Sequence, residues 1–109
     1  MTQPKTFYIS VLFLQRGDSW VLQCLEYDIV AQGSSISKAM RAFERTFIGQ
    51  IVLDIRQGKE PLYGFAQAPQ EYWDKFENAE RLTERKSFRL PEEVPLGYIA
   101  AAQDRRIFA

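Results

Sequence analysis

Hydrophobic and polar positions change period twice along this chain, and each change marks an element. Residues 6–14 (T-F-Y-I-S-V-L-F-L) are dense in β-branched and aromatic side chains. Gln15-Arg16-Gly17-Asp18-Ser19 is turn chemistry, with Gly17 free to take positive φ. Residues 20–25 (W-V-L-Q-C-L) form a second β-prone run, so the two read as a hairpin. After Glu26-Tyr27-Asp28 a third run, Ile29-Val30-Ala31-Gln32, stops at Gly33. Three strands with short links predict an antiparallel meander with one face in need of cover.

The period then becomes helical. Ile36, Met40, Phe43, Phe47, Ile51 and Ile55, with Ala39, recur at three- and four-residue spacing, which predicts an amphipathic helix over 36–55. Ser34, Ser35 or Ser37 can cap it, and Gly58 can end it in a left-handed conformation. Ile48 and Val52 widen its apolar face, either to thicken the core or to offer an oligomer surface. Further on, Leu62-Tyr63-Gly64-Phe65 is a candidate short fourth strand. Pro69 suits the first turn of a second helix over 69–82, with Tyr72, Trp73, Phe76, Ala79 and Leu82 as its stripe. Pro91 and Pro95 make 90–96 a turn or extended linker, and 97–102 fits strand or helix equally. The expected fold is α+β. A three- to four-stranded, mainly antiparallel sheet (β-β-β-α-β) carries one long helix, with a second helix and an extended tail. Residues 1–66 form the domain, and 67–109 an extension packed on it.

Composition narrows the function. The 109 residues fit one domain, at a size where self-association is common. Lys+Arg and Asp+Glu number 14 each, so net charge gives no general pull toward nucleic acid or an anionic membrane. A single cysteine, Cys24, precludes an intrachain disulfide, and with no histidine the usual zinc sets are missing as well. The opening Met1-Thr2-Gln3-Pro4-Lys5 lacks a signal-peptide core. No apolar run reaches the ~18–20 residues that span a bilayer. These features lead to the expectation of a soluble cytoplasmic protein without membrane contact.

Catalytic material is thin. Without histidine, the Ser-His and Cys-His nucleophile systems cannot be assembled. Cys24, flanked by strand residues, reads as a small core hydrophobe. The six glycines match no phosphate-cradling loop. Asp18, Glu26, Asp28, Glu44 and Asp54 could converge on magnesium as in a metal-dependent nuclease. Glu44 and Asp54, however, stand ten residues apart on one helix, about 15 Å along its axis, and solvated loop carboxylates are the favoured reading. No cofactor and no metal is expected. Two surfaces remain. Arg81, Arg85, Lys86 and Arg89, with Phe88 among them, could contact phosphates, against the plainer reading of a solvated helix end matched to Glu80 and Glu84. Tyr72, Trp73 and Phe76 could be core or could anchor a partner.

Residues 20–50 resemble the HicB-like antitoxin family. Trp20-Val21-Leu22-Gln23-Cys24-Leu25-Glu26-Tyr27-Asp28 corresponds to that family's second strand and its acidic, aromatic link. Gln32-Gly33 matches its strand end, and Ser35-Ile36-Ser37-Lys38-Ala39-Met40 its helix opening. The resemblance implies a β-β-β-α-β unit, a partly degenerate ribonuclease-H-like layer of sheet on helix. It also implies a non-enzymatic protein that forms dimers or tetramers and neutralises a small ribonuclease toxin. Two departures stand out. Ser37 and Lys38 occupy places where the family usually carries acids, and the DNA-binding module common in the family is incomplete here. Ser87-Phe88-Arg89-Leu90-Pro91-Glu92-Glu93 resembles the opening of a ribbon-helix-helix, but Pro95 obstructs its first helix. The expectation is an antitoxin-like or orphan protein-binding module. Glu26, Tyr27 and Asp28 would supply polar contacts and Tyr72, Trp73 and Phe76 apolar anchorage. A DNA- or RNA-binding regulator using 81–89 is the alternative.

Overall fold

A computed structural model describes residues 5–81, 86–89 and 98–108. Its first strand, β1 (Lys5–Arg16), sets the plan. Strand alternation sends Phe7, Ile9, Val11 and Phe13 to one face and Leu12 and Leu14 to the other, and all six are buried. A strand covered on both sides reads as an almost unbroken apolar run, as V-L-F-L does here. Gly17, at the first of two turn positions, takes φ +60°, which suits the twist of a tight hairpin. The chain returns as β2 (Ser19–Cys24), antiparallel to β1, and then as β3 (Val30–Gly33), antiparallel to β2.

The expected helix follows as α1 (Ile36–Arg56). Ser35 is the cap: extended at φ −148°, its Oγ accepts the Lys38 amide at 3.1 Å. Ala39, Met40, Phe43, Phe47 and Ile51 are buried against the sheet. Phe47 meets Phe7 edge-on, with centroids 5.6 Å apart, and lies 5.4 Å from Phe43. Ile48 and Val52 pack partly buried against this same core, so they thicken it. Gly58 takes φ +70° and its amide reaches back to the Ile55 carbonyl at 2.9 Å, which closes the helix.

Three expectations beyond the helix need correction. Residues 62–65 form a turn rather than a fourth strand. Leu62 has φ +65°, a conformation incompatible with an extended strand and unfavourable for a bulky side chain. The second helix, α2 (Gln70–Glu77), is much shorter than 69–82. Asn78 ends it: its side-chain amide takes the Asp74 carbonyl at 2.9 Å, and the Ala79 amide falls back on Phe76. The described part of the basic segment is strand rather than a helix end: Arg81 lies in β4 (Glu80–Arg81) and 86–89 form β5 (Lys86–Arg89), while 82–85 lie outside the described residues.

Both short strands pair antiparallel with β6 (Tyr98–Phe108), which itself lies parallel to β1. The strand order is β3-β2-β1-β6-β4, with β5 also on β6. The architecture is α+β, as expected, but the sheet is a mixed one, with six strands among the described residues. Helix α1 covers one face. Helix α2 covers part of the other, where Leu12, Leu14, Leu25, Ala68 and Phe76 form a second core.

Candidate functional site

Residues 25–29 connect the hairpin to β3, and their polar groups are engaged by the fold. The Leu25 amide donates to the Ser10 carbonyl at 3.0 Å, while the Leu25 carbonyl accepts from the Ala68 amide at 2.9 Å. That exchange removes the carbonyl that would otherwise receive the Ser10 amide. The Glu26 carboxylate replaces it, accepting Ser10 N–H at 2.6 Å and Ser10 Oγ at 2.9 Å. Tyr27 sets its ring 6.2 Å from that of Phe47, part of the α1 core. The Asp28 amide donates to the Ala66 carbonyl at 2.8 Å, and its exposed carboxylate accepts Gln23 Nε2 at 2.7 Å. So Glu26 and Tyr27 hold the link in place, and Asp28 alone of the three faces solvent.

Asp54 departs from the reading as a solvated loop carboxylate. It is buried on the core face of α1, where Oδ1 accepts from Gln50 at 3.0 Å and Oδ2 from the Leu62 amide at 2.7 Å. A buried carboxylate needs such donors, and here it fixes the turn after the helix. Among the described residues no group of His, Cys, Asp or Glu gathers to hold a metal ion. Cys24 is fully buried, as expected of a core hydrophobe. Burial pushes its thiol up to about 12, reinforced by the Glu26 charge and opposed by backbone hydrogen bonds from Tyr27, Glu26 and Leu25. At neutral pH it is no nucleophile.

The aromatic group on α2 divides. Phe76 is buried in the second core. Trp73 is half-buried, its indole N–H donating to the Ala68 carbonyl at 3.2 Å. Tyr72 is half-buried too, with Lys75 Nζ 5.4 Å from its ring centroid. Beside Tyr72, α2 leaves part of the sheet face uncovered. A groove of about 330 Å³ opens there, lined by Leu14 and Arg16 of β1, Val21 and Gln23 of β2, Val30 and Gln32 of β3, and Tyr72. Its volume is at the small end of the range for ligand sites. Gln23 is almost fully buried at 3% exposure, and its amide hydrogens go to the Cys24 carbonyl and Asp28. Val30 is 55% exposed. Arg16 is exposed and meets no carboxylate among the described residues.

The lining residues other than Tyr72 were not anticipated from sequence. They recur at every second position, 14 and 16, 21 and 23, 30 and 32, as one sheet face requires. Two glutamines within otherwise apolar strands were the available signal. Of the basic segment, Arg81 lies in β4 and Lys86 and Arg89 in β5, so their backbones pair with β6. Arg85 lies outside the described residues. No helix among the described residues is long and apolar enough to cross a membrane. Comparison with family models, with curated proteins and with solved structures finds no match for this chain.

Proposed function

We propose that this chain is a non-catalytic protein-binding module, an antitoxin of HicB-like type or an orphan relative, that self-associates and neutralises a small ribonuclease toxin. The observation that carries the protein-binding reading is the groove beside Tyr72. Among the described residues it combines an apolar floor, amide side chains and one cation that meets no carboxylate, a lining suited to a polypeptide and without an acid–base pair. The meander followed by a Ser35-capped helix supports the HicB-like assignment, since those elements coincide with the residues that carry the resemblance. Engagement of Glu26, Tyr27 and Asp54 by the fold supports a scaffold that binds rather than reacts.

The test is co-purification of the tagged full chain from native lysate, with light scattering on the purified protein. The expected outcome is a dimer or tetramer that brings down a small basic protein containing histidine, encoded next to it, whose ribonuclease activity it suppresses. A monomer that recovers no such protein overturns the antitoxin reading.

A further inference from the structure

Strand β3 is a sheet edge, and its ladder shows which backbone groups are free. The Cys24 amide donates to the Ile29 carbonyl at 3.0 Å, while the Ile29 amide turns to the Tyr27 carbonyl, so this single rung marks a bonding position of the ladder. Such positions alternate along an antiparallel ladder. The next partners are Gln23↔Val30, Leu22↔Ala31, Val21↔Gln32 and Trp20↔Gly33. Ala31 and Gly33 therefore bond toward β2, while the N–H and C=O groups of Val30 and Gln32 point away from the sheet. β2 agrees from its other side, where Leu25 bonds to Ser10. Val30 and Gln32 are also the two β3 residues that line the groove. One short strand thus offers, at the same positions, backbone groups that have no partner among the described residues and a side-chain surface, as strand addition requires.

We propose that this edge and groove form a docking strip for an extended acidic segment of a partner protein, which adds as a strand along Val30 and Gln32 and sends a glutamate to Arg16. The proposal rests on the protein-binding reading and names the kind of partner. Charge decides the occupant. Among the described residues Arg16, on β1, is the one charged residue lining the groove and meets no carboxylate, so an incoming acid is matched there. An added strand lies three strand spacings from β1, about 14 Å. Arginine and glutamate have the long arms that such a span favours, and aspartate is one methylene shorter. The apolar floor of Leu14, Val21 and Val30 takes the segment's β-branched side chains. A second copy of this chain pairing edge to edge is the competing occupant.

The test titrates the ¹⁵N-labelled full chain with an acetylated, amidated heptapeptide that alternates valine with threonine and carries one glutamate. The expected result is saturable shifts of the Val30 and Gln32 amides. Affinity falls about tenfold when glutamine or aspartate replaces the glutamate, and equally for Arg16→Gln, as the loss of one charge-assisted contact gives. A peptide N-methylated at the amides facing β3 does not bind. Gln32→Pro removes an outward donor without breaking a rung to β2, and so abolishes binding while the fold persists. Absence of saturable shifts, equal affinity for the N-methylated peptide, or shifts that follow protein concentration alone would overturn the proposal, the last by showing a second copy on the edge. A co-purified partner that binds Gln32→Pro as tightly as the parent sinks the docking strip and spares the protein-binding reading. Peptide binding without any such partner does the reverse for the antitoxin role.

Discussion

Cys24 sits fully buried where β2 leaves the ladder, and its surroundings hold the thiol protonated far into alkaline solution. An unfolded chain would ionise the same thiol near 9.0, whereas the folded one retains the proton to about 12. Between those values the unfolded state binds fewer protons, so stability declines as pH rises and is intact below the window. The limiting slope from one such group is about 1.4 kcal/mol per pH unit. The melting temperature of the parent is therefore expected to fall more steeply from pH 9 upward than that of Cys24→Ala, although the variant is the weaker of the two at neutral pH. Parallel curves would show that the thiol is not held in this way. Residues such as Cys24 were legible in sequence because a cysteine between apolar strand residues has few alternatives. Glu26 and Asp54 were not, because burial of a carboxylate depends on donors distant in the chain. Asp54 did carry a hint: it lies three residues after Ile51 and seven after Phe47, on the helix's own apolar stripe. Its partner, the amide of Leu62, is available only because that residue turns into positive φ, which no local pattern announced.

At the scale of elements, the entry into α1 illustrates how close packing assigns a residue. A Cβ placed on Gly33 would collide with the Ala39 amide and come within 2.7 Å of the Lys38 carbonyl carbon, both backbone atoms that cannot turn aside. Gly49, exposed on the outer side of the same helix, has open space around it. The two glycines are thus expected to respond with opposite signs. Gly33→Ala should lose roughly 1–3 kcal/mol through overpacking, and Gly49→Ala should gain about 0.5–1 kcal/mol through helix propensity. Urea denaturation of the pair checks this, and a loss at both positions would refute the packing account. Local signals made these elements readable: the hairpin from its Gly17 turn, α1 from its spacing, its Ser35 cap and Gly58. Helix α2 was overread because its apolar spacing continues through Ala79 and Leu82, past the point where Asn78 takes the last carbonyl. Strands β4 to β6 were legible only in part, since 97–102 fits strand or helix equally and the basic segment reads more plainly as a solvated helix end. Between Ile99 and Ile107 β6 holds only small, polar and charged side chains without alternation, so its conformation there comes from pairing with β1 rather than from propensity.

For the whole molecule, the sheet binds the two halves of the chain together. β6 lies beside β1, and the segment before α2 bonds to the link after β2 through Ala66 and Ala68. A piece ending at residue 66 would expose Leu12, Leu14 and Leu25 to water and leave the inner edge of β1 unpaired. Burying each such side chain contributes about 1.5–3 kcal/mol, so the loss exceeds the margin of a small domain. The fragment 1–66 is expected to unfold without cooperativity and to aggregate on gel filtration. A monomeric fragment with a sharp transition would show that the first half is autonomous.

The position of β6 also bears on how the protein is made. Thr6 pairs with Ala100 and Leu14 with Phe108, so β1, once made, waits for a strand encoded 94 residues later. At roughly 5–20 residues per second, the intervening chain takes several seconds to appear. Throughout that interval the nascent β1 presents an apolar, unoccupied border to other chains. Yield in cells is then governed by chaperone capacity and translation speed as much as by final stability.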